Sequence, residues 1–349
     1  FVVAHLSWRF IEQPFRAGGS LLQTRRGIFA GTFAGSVVVV MFGAAVLSSD
    51  GFPGRFPSAV VALAATADET DRQKDLCRNP VRFGVVEACR IGAASDDAPA
   101  VLVWGDSHGA AWLPAFDRML AEQGKAGYLT AFNGCPISFG IDRAGSARSW
   151  RCQQRNDRLR PLIEEKGIET AILVGAWRGL LYSKNTLFEG QESHDDVERR
   201  HNVTTALRQT LGYLKQQGVR TAVLMPAPGA NGNVPRILAR AAVMRSDVDI
   251  RLTRQEYDTL FAPVAAAAGE ADALIRVDHM LCDTGRCAIE ADGRALYFDE
   301  SHPSAYLNEL AYQTLAAQVA RFLDGRPAPA LKAMHDRRNA GTNVAGPAR

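Results

Sequence analysis

From about residue 98 onward, unbroken apolar runs alternate with amphipathic segments. The runs cover 99–105 (PAVLVWG), 127–132 (GYLTAF), 170–176 (TAILVGA), 220–226 (RTAVLMP) and 273–278 (ALIRVD). Apolar residues recur with helical spacing over 108–123, 155–166, 196–217, 253–268 and 304–323. Runs without polar alternation suit strands buried on both faces, and helices between them imply right-handed crossovers. The pattern predicts an α/β fold: a three-layer α/β/α sandwich with a parallel sheet, over residues 76–325. No internal repeat interrupts it.

Upstream the pattern changes. Residues 27–49 carry no charged side chain, and at ~1.5 Å per residue they reach across a ~30 Å hydrocarbon core. They are read as one transmembrane helix. A signal peptide, with Arg25-Arg26 as its basic end, and a buried helix are the rival readings; the apolar stretch is long for a signal peptide. Arg9, Arg16, Arg25 and Arg26 precede the span, whereas Asp50, Asp68, Glu69 and Asp71 follow it. The positive-inside bias therefore puts everything after residue 50 outside the cytoplasm. Residues 50–75, rich in Gly, Pro and Ala, read as a linker, and 326–349 as a disordered tail. Phe1 suggests a trimmed start or one inside a larger protein.

Composition adds two constraints. The net charge of +3 is too small to argue for nucleic acid. The six cysteines form three sequence-local couples, making Cys77–Cys89, Cys135–Cys152 and Cys282–Cys287 the simplest of the possible disulfide sets. None has the C-x-x-C spacing of a zinc site, so no metal is expected. Disulfides agree with an oxidising compartment.

Two stretches carry chemistry. In VLVWGDSHGAAW (101–112) the first strand runs into Gly105-Asp106-Ser107, where a helix opens. Reactive groups in such sheets sit at the carboxyl ends of strands, and a helix start offers N–H groups to a developing oxyanion. A serine needs a base, usually a histidine oriented by a carboxylate. In YFDESHPSAY (297–306) Asp299 lies three residues before His302, spaced so that the carboxylate can reach one ring nitrogen while the other faces a serine. The plainer alternative is helix capping, by Asp106 or Ser107 at one place and by Asp299 or Ser301 at the other.

Together, Gly105-Asp106-Ser107 and Asp299-x-x-His302 resemble the two end blocks of the SGNH (GDSL-like) hydrolase superfamily. The resemblance implies Ser107 as nucleophile, His302 as base and Asp299 as its orienter. Its G-x-N-D block would fall on Gly175-Ala176-Trp177-Arg178, placing Trp177 where an oxyanion-binding Asn is expected. Besides the Ser107 N–H, Asn133, Gly134, Gly175 and Trp177 become the oxyanion or pocket candidates. LSWRFIEQPFR (6–16) is similar to the C-terminal signature of type-3 integral-membrane acyltransferases, and 281–304 to the end of SGNH domains fused to them. Residues 1–26 are then the end of that membrane domain.

This resemblance implies an O-acetyltransferase of the inner membrane with its SGNH domain in the periplasm, acting on a cell-envelope glycan such as an O-antigen lipopolysaccharide. The acyl group would come from acyl-CoA through the membrane acyltransferase domain, in cis or trans, with no cofactor bound by this chain. An extracytoplasmic carbohydrate acetylesterase and a decayed glycan-binding or docking domain are the alternatives.

Overall fold

The computed structural model describes residues 1–13, 24–69, 77, 80–83, 86–94, 100–144, 151–182 and 186–326. The chain divides into two units, Phe1–Val61 and Ala62–Arg349. The expected tail lies outside the described residues beyond Arg326, as does the end of the 50–75 segment.

In the first unit a helix of 24 residues, α1 (Arg25–Ser48), occupies the segment expected to span a membrane. The Thr24 hydroxyl caps it by accepting the Gly27 N–H at 3.1 Å. Its mean hydropathy is 2.0 and its apolar surface is unburied. At about 36 Å it is long enough, and by composition apolar enough, to cross a bilayer. The segment read as a linker is partly helical: a turn at Pro53–Arg55, a helix at Ser58–Ala65 and a turn at Thr66–Asp68. Its Ala-rich SAVVALAA run has high helix propensity, which the Pro and Gly around it obscure.

The second unit is built on seven strands: β1 (Pro80–Phe83), β2 (Val86–Gly92), β3 (Val101–Gly105), β4 (Ala126–Ala131), β5 (Thr170–Val174), β6 (Arg220–Leu224) and β7 (Ala273–Ile275), in the order β1-β2-β4-β3-β5-β6-β7. The five strands read from the sequence form the parallel block β4-β3-β5-β6-β7. The sheet is nevertheless mixed, which corrects the purely parallel expectation. β1 and β2 pair antiparallel with each other, and β2 pairs antiparallel with β4, Cys89 opposite Leu129. The connection from Phe83 to Val86 is too short for a parallel crossover. β1 alternates exposed and half-buried positions at the sheet edge, so it has no long apolar run to betray it.

The main helices are α2 (Ser107–Ala111), α3 (Leu113–Glu122), α4 (Cys152–Asp157), α5 (Leu159–Glu165), α6 (Trp177–Tyr182), α7 (Asp196–Gln216), α8 (Val234–Met244), α9 (Arg254–Ala268) and α10 (Ala305–Leu323). On one face of the sheet Leu102, Trp104, Ala171, Leu173 and Val223 share a core with α5, α7 and α9. Strand alternation sends Val101, Val103, Ile172, Val174 and Leu224 to the other face, all at most 3% exposed. There α3 packs on β2 and β4, and α10 packs on α3 and β7. The result is the three-layer arrangement, with helix α8 as an unanticipated addition. The disulfides are Cys77–Cys89, Cys135–Cys152 and Cys282–Cys287.

Candidate active site

β3 ends at Gly105, where a side chain has no room: a Cβ would lie 2.7 Å from the Gly109 Cα. The chain can therefore fold back at once into α2. Asp106 is the N-cap of this helix, its Oδ1 accepting the His108 N–H at 2.8 Å. Its second oxygen accepts the Ala176 N–H at 2.7 Å, tying the turn that carries Ser107 to the start of α6. The capping role thus belongs to Asp106 and leaves Ser107 unencumbered. Asp106 is 1% exposed; burial pushes its carboxyl up to about 6, against the Ala176 and His108 N–H groups that favour the anion.

The partner loop lies before α10. The cap of that helix is Ser304, whose hydroxyl accepts the Leu307 N–H, and neither Asp299 nor Ser301 serves there. Asp299 Oδ1 instead accepts the N–H groups of Ser301 and His302, each at 2.8 Å. Its Oδ2 meets His302 Nδ1 at 2.6 Å. His302 Nε2 in turn lies 2.7 Å from Ser107 Oγ. An ionised carboxylate can only accept, so Nδ1 carries the ring proton and Nε2 is free to receive the serine's. Burial pushes the Asp299 carboxyl up, but the hydrogen bond and charge of His302 and the two backbone donors outweigh it, holding it below the usual carboxylate range.

His302 is held on its faces as well as at its edge. Phe298 stacks on it at 5.0 Å between centroids and 15° between planes. His108 lies against it at 4.4 Å. Burial, with the His302 charge, pushes His108 down to about 3, so it stays neutral beside that ring. Its Nε2 is 3.4 Å from Ser301 Oγ.

Ser107 and His302 open into a cleft of about 710 Å³, whose lining includes Trp177, Arg178, Phe261 and Asn231. Of the residues proposed around the oxyanion, Gly134 and Trp177 line this cleft. Asn133 is exposed and Gly175 buried, and neither is part of the lining. A Cβ on Gly175 would meet Ile137 at 2.9 Å, so that glycine serves packing. Trp177 is fully buried, and its indole N–H has no partner among the described residues. It walls the cleft and is no replacement for an exposed amide donor. The sequence assigns no site role to His108, Ser301, Arg178 or Asn231, all of which the fold brings to the cleft. His108 follows the serine directly, and its adjacency to a buried motif was the one available signal. Among the described residues no group of three or more His, Cys, Asp or Glu is placed to hold a metal ion.

Comparison with known proteins follows the same lines. The family described as "SGNH domain (fused to AT3 domains)" matches residues 71–316. The periplasmic domain of a lipopolysaccharide acetyltransferase from Salmonella ser. Paratyphi A superposes with a TM-score of 0.51 at 15% identity, covering 74% of this chain and 97% of that one. A Bacteroides fragilis protein provisionally described as an acylhydrolase gives a TM-score of 0.35 at 11% identity, over 73% and 94% of the two chains. No curated protein matches the sequence.

Proposed function

Since the chain belongs to the family of SGNH domains fused to AT3 domains, we propose that it transfers an acyl group, acetyl in the simplest case, to a cell-envelope glycan through an acyl-serine at Ser107. The observation that carries this reading is the continuous path from Asp299 through His302 to Ser107 at 2.6 and 2.7 Å. In the first half-reaction Ser107 Oγ attacks the acyl carbonyl while His302 Nε2 takes its proton. The imidazolium, stabilised by Asp299, then protonates the leaving group as the carbonyl reforms. In the second, a sugar hydroxyl attacks the acyl-serine, giving its proton to Nε2, and Ser107 regains one as the ester departs. The Ser107 N–H, at a helix position with no intrahelical acceptor, and the backbone of Gly134 are the proposed oxyanion donors.

In this reading the donor reaches Ser107 from acyl-CoA through an AT3 membrane domain, in cis or in trans, with no cofactor held by this chain. α1 anchors the SGNH unit to the inner membrane on its periplasmic side. Support comes from the length and composition of α1, from the three disulfides and from the family's membrane fusion. The test is incubation of the chain with p-nitrophenyl acetate and a saturating glycan. Acetylated Ser107 in the digest together with acetylated glycan is expected. Free acetate as the sole product would replace transfer by ester hydrolysis, and Ser107→Ala or His302→Ala with full turnover would end the acyl-serine reading.

A further inference from the structure

The cleft beside Ser107 holds a cation that the chemistry above does not use. Arg178, the second residue of α6, donates from Nη1 to the Ala230 carbonyl at 3.1 Å and from Nη2 to Asn231 Oδ1 at 3.0 Å. Both acceptors are neutral, and among the described residues no carboxylate lies within ion-pair distance of it. Arg254 and Arg276, elsewhere in the same unit, each bind Asp278 at 2.9 Å. A guanidinium only donates, so the atom of Asn231 facing it is the oxygen. The backbone N–H of Asn231 donates to the Ile250 carbonyl at 2.8 Å, whereas its side-chain amide N–H groups have no acceptor among the described residues. Arg143 lines the same cleft, its Nη1 donating to the Gly134 carbonyl at 2.7 Å. The acidic side chain in the lining, Glu300, is exposed. The Arg178 charge reaches Glu256, a carboxylate held below its usual range first by its hydrogen bonds with Thr253 and more weakly by Arg178. A guanidinium whose direct partners are both neutral still offers its charge to a ligand, and its fork matches a carboxylate or phosphate.

We infer that the acceptor taken by this cleft bears an anionic group, a carboxylate or a phosphate, which pairs with Arg178 and takes further hydrogen bonds from Asn231. The inference rests on reading the cleft as the acceptor site of the Ser107 reaction, and it narrows that acceptor to an acidic sugar.

The experiment is ligand-observed NMR titration of the full chain, in an uncharged detergent, with methyl glucoside, methyl glucuronide and methyl glucoside 6-phosphate. At least one acidic sugar binds about ten- to hundred-fold more tightly than the neutral one, the range of a charged hydrogen-bonded pair. Arg178→Gln erases that preference without changing the neutral sugar's affinity, and Arg178→Lys keeps part of it. Added salt weakens the acidic ligands alone. A preference for the carboxylate over the phosphate, or the reverse, supports the inference and identifies the group. Equal binding of all three, no binding of the acidic pair, or a parallel loss for all three in Arg178→Gln overturns it. Labelling of Ser107 by a fluorophosphonate runs alongside: unchanged labelling of Arg178→Gln shows the site intact, and labelling lost together with all sugar binding reduces Arg178 to a structural tie and overturns the inference. An unlabelled wild-type serine would refute the acyl-serine chemistry, while the titrations decide the anion site separately.

Discussion

Replacing Asp106 by Asn separates two opposed effects at the end of β3. The carboxylate accepts N–H groups from both His108 and Ala176, yet its burial raises it from 3.8 to about 6. A folded-state value above the unfolded one means the native protein binds the proton more tightly. Stability supplied by that proton is complete below pH 3.8, shrinks as the unfolded chain ionises, and is lost by the time pH has risen through about 6. The difference corresponds to about 3 kcal/mol. Asn cannot titrate, so it escapes this loss; but it offers one acceptor oxygen, which leaves one of the two donors unpaired at ~1–3 kcal/mol. The variant should therefore be less stable than wild type at pH 4, and the gap should close or reverse by pH 7.5. At ~2–4 °C per kcal/mol for a domain of this class, the Tm difference between the proteins should move by about 6–12 °C across that range. Tryptophan-fluorescence melts of both chains in detergent at stepped pH measure it. A gap that widens with rising pH would show that the hydrogen bonds outweigh burial and refute the reasoning.

Asp299→Asn removes the acceptor that selects the His302 tautomer, so p-nitrophenyl acetate turnover should fall on the order of 10⁴-fold, with a lower Tm at neutral pH because the folded state favours the ionised carboxylate; a loss below tenfold would contradict the assigned geometry. Opening Cys135–Cys152, whose partners are at most 1% exposed and 17 residues apart, by paired Ser substitutions should cost about 3 kcal/mol, and an unchanged Tm would count against it. Asp278 is fully buried between Arg254 and Arg276; Asp278→Ala leaves Arg276 without its carboxylate, while Arg254 keeps Asp258, and should cost about 3 kcal/mol, whereas a melt within 2 °C of wild type would refute that reasoning.

What could be read from the chain divides along a physical line. β3, β5 and β6 announce themselves because strands covered on both faces must be apolar throughout. β1 and β2 do not, since an edge hairpin keeps one side wet. Helix α8 is absent from the helical spacings of the sequence: NVPRILARAAVM opens with Asn and Pro, residue types common in turns that here form its cap and first turn. Ser107, Asp299 and His302 stood out because each sits in a compact local pattern, and folding brings them into hydrogen-bonding contact. The walls of the cleft had no such pattern. His108 and Arg178 open helices α2 and α6 and Asn231 lies in the segment before α8, three stretches far apart in sequence, and Trp177 occupies a position whose burial only the packed sheet reveals. A motif records what neighbours in sequence do together, whereas a pocket is made by residues that become neighbours only afterwards.

Ser107 and His302 are 195 residues apart, and among the described residues His302 is followed by a single helix, α10. A chain emerging N-terminus first thus displays its serine long before anything can deprotonate it. On the proposed chemistry, the hydroxyl stays as inert as any surface serine until α10 docks on α3 and brings the loop of Asp299 and His302 over it. If Ser107 carries the acyl group as proposed, its reactivity is a report of completed folding: a truncated or half-assembled molecule would have the serine but could not take, and so could not squander, an acyl group.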